Sequence, residues 1–221
     1  MLEKCRRVAI GVFVLFLLAG RAKADLILAE GFESVVPAGW TVVNNSSPGG
    51  TTDWFQGNPG AFNAYTGNDD SYAAANFNAA GFGGNVDDWL ITPLLNLAGD
   101  PTLSFYARRD DLGGPEDLGD RLEVLFSSSG GATDLSTFVS LLVIGPGDFP
   151  TDWTQFTVGA SGSTGEGRFA FRYLVTDTSF NGSYIGIDSV SVEAVPEPGS
   201  LLLTGAGLAA LAALSRRRRQ A

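Results

Sequence analysis

Hydrophobic and polar residues alternate along short stretches of this chain, and clusters of Gly, Asn, Asp, Ser and Pro separate the stretches. Within 121–127, Leu122, Val124 and Phe126 fall on one side, and 168–175 repeats the pattern. A two-residue period is typical of a β-strand with one buried face, and no segment shows a competing helical period. The pattern predicts strands over 26–32, 40–43, 54–56, 71–75, 89–92, 102–107, 121–127, 138–143, 154–157, 168–175 and 183–193.

These strands predict an all-β domain. Two antiparallel sheets packed face to face, as a jelly-roll-like β-sandwich, bury the apolar side of each strand economically. Roughly 170 residues lie between the two terminal segments, which is enough for one domain with its own core. The glycine clusters at 49–50, 81–84 and 130–131 lack a following helix and a lysine, so we interpret them as turns rather than phosphate-binding loops.

The N-terminus departs from the strand pattern. Basic residues precede an apolar stretch over 8–19, and Ala22 and Ala24 place small residues where a signal peptidase cuts. Residues 1–24 are therefore predicted to be a secretory signal peptide, with a retained membrane anchor as the alternative. The only cysteine, Cys5, lies in this segment, so the exported domain has no disulfide.

The C-terminus carries a three-part pattern over 195–221. An uncharged apolar run over 201–214 is shorter than the ~20 residues that span a bilayer comfortably, although 199–215 just reaches across. The arginines that follow would hold that end in the cytoplasm. The residues that flank the run are Pro196, Glu197 and Pro198 before it and Arg216, Arg217, Arg218 and Arg219 after it.

This tail resembles the PEP-CTERM sorting signal. The resemblance implies export in a Gram-negative bacterium that makes extracellular polysaccharide, transient insertion into the inner membrane, and an exosortase that cuts near the Pro-Glu-Pro. The partners it implies are this exosortase and signal peptidase. An ordinary C-terminal membrane anchor is the alternative. The domain between the two signals is then 25–194.

The predicted domain is strongly acidic and poor in catalytic side chains. Its five basic residues are all arginines and face 22 acidic residues, a formal charge of −17 that repels nucleic acid and anionic lipid. The chain has no histidine and the domain has no lysine or cysteine, so a serine lacks an ordinary base partner. A carboxylate pair for glycoside hydrolysis stays open.

A second resemblance covers most of 25–193 and concerns the choice-of-anchor J domains, which are similar to cleaved-adhesin and MAM-type jelly rolls. It implies a fold and a surface location rather than a reaction, and the D-W-L-I-T-P motif itself is interpreted as a core strand. The motifs that carry it, in order, are E-G-F-E at 30–33, P-A-G-W at 37–40, D-W at 53–54, Y-A-A-A-N at 72–76, D-W-L-I-T-P at 88–93 and G-I-D-S-V at 186–190.

Calcium is the metal that this composition favours, because it takes oxygen ligands from carboxylates, amides and carbonyls. Related jelly rolls bind it structurally, and by resemblance the ligands are Glu33 and Asp188, which meet if the first and last strands pair. The alternative is that both are solvated or capping carboxylates. Two other oxygen-rich loops, 68–70 and 117–120, lack calcium-loop spacing and are interpreted as turns.

Aromatic residues raise the possibility of carbohydrate binding. Trp54 and Tyr65 lie in a Gly/Asn-rich stretch typical of loops and are the candidate carbohydrate contacts, with loop anchoring as the alternative. Trp40 and Trp89 lie in motifs that indicate core. We therefore expect an exported, non-enzymatic surface or matrix protein that interacts with polysaccharide or another surface protein. A carbohydrate-binding module and a glycan-cleaving enzyme are the alternatives.

Overall fold

The structure is a computed structural model that describes residues 23–194, except 98, 112–117, 130, 132 and 162–164, together with residue 207. Asp25–Ala194 forms one compact unit. Its described strands are β1 (Asp25–Glu30), β2 (Thr41–Asn44), β3 (Ser47–Gly49), β4 (Phe55–Gln56), β5 (Ala73–Asn76), β6 (Ala80–Ile91), β7 (Leu95–Leu97), β8 (Pro101–Arg109), β9 (Arg121–Ser127), β10 (Val139–Ile144), β11 (Thr154–Gly159), β12 (Gly165–Val175) and β13 (Tyr184–Ala194). Two short 3₁₀ helices cover Phe77–Ala79 and Leu135–Thr137.

The strands form two antiparallel sheets. Sheet A has the order β11-β8-β13-β5-β4, with β1 also paired to β13. Sheet B has the order β10-β9-β12-β6-β2, with β3 paired to β6 and β7 to β12. The predicted all-β sandwich is confirmed. The predicted pairing of the first and last strands is also present, since Glu30 lies opposite Val190.

The core lies between the sheets. Leu122, Val124 and Phe126 of β9 are buried there with the aromatic side of β12, as the two-residue period predicts. The opposite side of sheet B is buried too, because Leu125 packs with Trp89 and with the residues around the second 3₁₀ helix. Predicted core residues Trp40 and Trp89 are both buried.

One glycine prediction is wrong. The cluster at 81–84 is the start of β6, not a turn, and Gly49 belongs to β3. A Cβ at Gly84 would stand 2.7 Å from the Ser47 carbonyl oxygen, so this glycine permits close approach of backbone to backbone. Strands β3 and β7, each three residues long, were not predicted.

Both predicted sorting segments lie almost wholly outside the described residues, including Pro196 to Pro198 and the four terminal arginines. Among the residues that the structure does describe, no helix is long and apolar enough to span a membrane.

Candidate functional site

A long loop over 57–72, here called the covering loop, joins β4 to β5 and lies on the outer side of sheet A. Because Ile185 and Ile187 of β13 face the core, the intervening Gly186 faces outward. A Cβ at Gly186 would stand 2.9 Å from both Phe62 and Tyr72, so the loop rests directly on the strand. The loop thus turns part of a solvent-facing sheet surface into a second packed layer.

Hydrogen bonds fix this loop at several points. The hydroxyl groups of Tyr72 and Tyr184 lie 3.0 Å apart, and the Tyr72 hydroxyl also donates to the Asn58 carbonyl at 2.9 Å. The Trp153 indole N–H donates to the Asn63 carbonyl at 2.8 Å. Burial raises the pKa of both tyrosine hydroxyls, so they stay protonated at physiological pH.

Asp188, the first predicted metal ligand, is fully buried beneath the covering loop. Its Oδ2 accepts hydrogen bonds from the backbone N–H groups of Tyr65 at 2.9 Å and Thr66 at 3.0 Å. Its Oδ1 accepts from the backbone N–H of Ser189, whose φ of 50° lies in the left-handed region at a β-bulge. Burial raises the pKa of Asp188, while these backbone donors oppose the shift.

Glu33, the second predicted ligand, contacts the same loop a few residues further along. Its Oε2 accepts hydrogen bonds from the Ser71 hydroxyl at 2.9 Å and the Asn68 amide at 3.0 Å. Gly67, with a φ of 83°, passes so close that a Cβ there would stand 2.7 Å from Oε1. Phe32, immediately before Glu33, also has a left-handed backbone, with a φ of 53°. Glu33 therefore follows a residue with a strained backbone, and Asp188 precedes one. These backbone conformations direct both carboxylates toward the loop.

The donor set around the covering loop is compatible with a hard cation but is not a preformed cage. Glu33 and Asp188 supply carboxylates, and Asn68, Ser71 and Thr66 supply amide and hydroxyl oxygens. Within the described residues, no three acidic, His or Cys side chains are grouped to hold a metal. A cation here would need the neutral oxygens of the loop as well as the two carboxylates.

The remaining acidic loops have structural partners. Asp69 and Asp70 lie within the covering loop, where their carbonyl oxygens accept from Ala64 and Gln56. Asp117 lies outside the described residues, and Asp120 is buried and accepts from the Tyr173 hydroxyl at 2.5 Å. These contacts agree with the interpretation of 68–70 as a turn.

The two candidate carbohydrate contacts have different environments. Trp54 is buried in the main core, and its indole N–H donates to the Asp88 carbonyl at 3.2 Å. The side chain points inward just before β4, which agrees with the anchoring alternative for Trp54. Tyr65 is 43% exposed and stacks on Tyr106 with ring centroids 3.6 Å apart. One face of the Tyr65 ring is therefore covered by the sheet.

Asp88 is a buried acid that sequence reasoning did not single out. It lies in β6 with no exposed surface, and neither carboxylate oxygen has a hydrogen-bond partner among the described residues. Burial, with a contribution from the nearby Asp53 charge, raises its pKa to about 8. The D-W-L-I-T-P motif indicated a core strand, but only the tertiary structure shows that its aspartate points into the core.

On the outer side of sheet B, Arg172 joins two carboxylates. Its guanidinium binds Asp87 at 2.6 Å and Glu123 at 3.2 Å, and lies 4.8 Å from the centroid of the Trp89 ring. Burial alone would raise the pKa of Asp87, but hydrogen bonds from Arg172, Asn45 and Trp89 outweigh it and lower the pKa below its usual value. An arginine between two carboxylates neutralises them and holds three strands in register.

These positions bear on the glycan-cleaving alternative. Such an enzyme needs an accessible carboxyl group with a raised pKa close to a second carboxylate. The carboxyl groups of Asp88 and Asp188 both have raised pKa values, and both residues are fully buried. Neither is placed to protonate a glycosidic oxygen in a bound sugar chain.

Comparison with known proteins gives two results. Residues 194–219 match the family model of the PEP-CTERM protein-sorting motif. The fold is similar to the K1 cleaved adhesin domain of Lys-gingipain from Porphyromonas gingivalis W83, with 26% identity, a TM-score of 0.59, and coverage of 77% of this chain and 99% of that domain. No curated protein matches by sequence.

Two further domains of Lys-gingipain are also similar. The K3 cleaved adhesin domain from P. gingivalis W83 has 26% identity and a TM-score of 0.56, covering 78% of this chain and 99% of that domain. The K2 domain has 22% identity and a TM-score of 0.55, and the match covers 75% of this chain and 98% of that domain. This likeness shows that the two share a fold. The predicted PEP-CTERM signal and the likeness to cleaved adhesins are confirmed. The sorting motif indicates an exported, cell-surface-associated protein, whereas the choice-of-anchor J assignment stays a prediction.

Proposed function

We propose that this protein is a non-enzymatic surface or matrix protein with a structural or adhesive role. The observation that carries the proposal is the likeness of the sandwich to the K1 and K3 domains, which are named cleaved adhesins and are covered over 99% of their length. The sorting motif at 194–219 supports it, because the motif gives the sandwich a route out of the cell. The acidic surface of the domain also suits a soluble extracellular module.

The sorting route is the second part of the proposal. Signal peptidase removes 1–24, the apolar run over 201–214 holds an inner-membrane intermediate, and an exosortase-type enzyme acts near Pro196–Pro198. The sandwich then reaches the cell surface, the outer membrane or the extracellular polysaccharide of a Gram-negative bacterium. Support for this order comes from the motif match and from the arginines that end the chain.

Cell fractionation and adhesion assays test the proposal together. Full-length protein is compared with a variant in which Glu197 and its flanking prolines are replaced by alanine, and with a matched Glu193→Ala variant just before the motif. We expect the motif variant to stay in the inner membrane and the Glu193→Ala protein to reach the surface. Cells that display the wild-type protein should attach better than cells that retain it. Equal surface display by both variants would contradict the sorting route.

Calcium binding at the covering loop is a further part of the proposed function. Glu33 and Asp188 bind neighbouring parts of that loop, and the hydroxyl oxygens of Thr66 and Ser189 lie 2.8 Å apart beside it. A calcium ion held there would cross-link the segment that follows β1, the last strand and the loop. Its role would be to stabilise the fold rather than to supply chemistry.

Glycan binding is the second candidate function, and exposed aromatic rings favour it. Tyr65 presents one open ring face on the covering loop, and its position is fixed by the Tyr106 ring beneath it. Flat rings held rigidly at a surface are suited to stacking on sugars, provided that polar side chains lie nearby. Binding of polysaccharide would give the adhesive role a molecular basis.

A further inference from the structure

Two phenylalanine side chains stand almost fully in solvent on neighbouring segments of the sandwich. Phe82, near the start of β6, is 88% exposed, and Phe180, in the turn between β12 and β13, is 80% exposed. Leaving such large apolar side chains in water forgoes the stabilisation that burial brings. Isolated exposed apolar residues are ordinary, but two aromatic rings on adjoining segments form a surface feature.

Hydrogen bonds join the two segments that carry these rings. The backbone N–H of Thr178 donates to the Gly84 carbonyl at 2.9 Å, and the Thr178 hydroxyl donates to the Gly81 carbonyl at 2.8 Å. Phe82 stands between those two glycines, and Phe180 follows Thr178 by two positions. We call this pair, Phe82 and Phe180, the aromatic tip.

The turn that carries Phe180 is held rigidly. Asp177 has a left-handed backbone, with a φ of 56°, and its N–H donates to the Asn85 side chain at 3.1 Å. Its carboxylate accepts from the backbone N–H of Ser179 at 3.1 Å, and the Asn181 amide donates to the Thr176 carbonyl at 2.7 Å. The backbone beneath the rings is thus ordered before any partner arrives, which lowers the entropic cost of binding.

We propose that the aromatic tip binds a neutral polysaccharide chain. Rings that stand clear of the surface can stack on the apolar faces of sugar rings. Asn85, Ser179 and Asn181 place amide and hydroxyl groups beside them that can bind sugar hydroxyls. This inference rests on the proposed surface role and names a ligand class and a site for it.

Charge and size favour a neutral glycan over other occupants. A formal charge of −17 on the predicted domain opposes approach to an anionic polymer or an anionic lipid surface. A second copy of the chain would need roughly 800 Å² on each partner, with an apolar centre. Two rings among short polar side chains offer much less.

Affinity electrophoresis of the full chain tests the inference. The protein is kept in a polyoxyethylene detergent, which has no sugar headgroup, and is run in native gels that contain dextran, xylan, galactan or mannan. The variants are Phe82→Ala, Phe180→Ala and the matched control Leu26→Ala, which removes another strand side chain that is 61% exposed. Light scattering of the same samples reports oligomeric state.

We expect at least one neutral glycan to slow the wild-type protein. Each phenylalanine substitution should weaken this binding roughly tenfold, and Leu26→Ala should leave it unchanged. No retardation by any of the four glycans would overturn the inference. Retardation that survives both phenylalanine substitutions would overturn it too, because binding would lie elsewhere.

A third contrary result is a dimer that both substitutions disrupt, since the rings would then contact a second copy of the chain. The proposed surface role is judged separately by fractionation and cell attachment. If displayed protein still promotes attachment while no gel shows retardation, the aromatic tip is rejected and the surface role stands.

Discussion

Glu33 and Asp188 bind neighbouring parts of one loop, although they come from the first and last parts of the domain. Asp188 accepts two backbone hydrogen bonds from Tyr65 and Thr66, and Glu33 accepts side-chain hydrogen bonds from Asn68 and Ser71. The pairing of β1 with β13 brings them to the same side of sheet A. The covering loop is thus held by two carboxyl groups.

Calcium should stabilise the full chain, and magnesium should do so less because its coordination geometry is stricter. A ligand that binds only the folded state adds about 2.7 kcal/mol at a hundredfold excess over Kd. We expect the melting temperature in calcium to exceed that in EDTA. Either Glu33→Gln or Asp188→Asn should abolish this difference. Glu193→Gln, at an exposed acid in β13, is the control. Equal melting of the wild type in calcium and in EDTA would remove the metal from this account.

Asp88 should make stability depend on pH. Its pKa of about 8 in the folded protein lies above the unfolded value of 3.8. The stability that protonated Asp88 contributes is therefore complete below about pH 4 and is lost as the pH rises through 8. Asp88→Asn cannot ionise, so its stability relative to wild type should increase from pH 5 to pH 8.

Urea unfolding at several pH values checks this, with Asp87→Asn as the comparison. Burial raises the pKa of Asp87, but its hydrogen bonds outweigh burial and lower the pKa below its usual value. The stability that Asp87 contributes is therefore present at neutral pH and is lost as the pH falls. The two variants should therefore differ from wild type with opposite pH trends. A parallel pH dependence of wild type and Asp88→Asn would contradict a neutral buried Asp88.

Removing Arg172 should destabilise the sandwich more than removing Arg121. Arg172 binds both Asp87 and Glu123 beside a buried tryptophan, whereas Arg121 is nearly half exposed and, among the described residues, pairs with Glu123. We expect Arg172→Gln to cost roughly 2–4 kcal/mol of unfolding free energy, because it leaves partly buried carboxylates without their cation. Arg121→Gln should cost below about 1 kcal/mol. Equal urea midpoints for the two variants would show that the Arg172 network adds little to stability.

Gly186→Ala should loosen the covering loop. The new methyl group would meet Phe62 and Tyr72 at 2.9 Å and Trp153 at 3.0 Å, so the rings above the strand must move. Overpacking of this kind costs about 1–3 kcal/mol. Gly145→Ala, where the added Cβ meets nothing within 4 Å, is the matched control. Hydrogen exchange should show earlier opening of 57–72 in Gly186→Ala alone, and unchanged exchange there would contradict the predicted packing.

The repeating pattern of the strands was enough to predict the sandwich. Leu122, Val124 and Phe126 share a side because a strand alternates, and this local geometry holds whatever the rest of the chain does. The terminal sorting pattern is equally local, since it depends on a short motif, an apolar run and adjacent charges. These features were readable because neighbouring residues define them.

Other features depend on residues that are distant in sequence, and only the tertiary structure decided them. Periodicity shows that Asp88 and Trp89 face opposite sides, but not that both sides of sheet B are covered. The sequence around Trp54 is typical of a loop, and only its contacts in the core show that the side chain is buried. Asp188 and Tyr65 lie 123 residues apart, and the aromatic tip joins segments nearly as distant, so chain folding alone brings them together. The sequence by itself determined which residues alternate and where the chain is sent. The fold decided which faces are buried, which charges are paired and which rings remain in solvent, because those outcomes depend on what packs against each face.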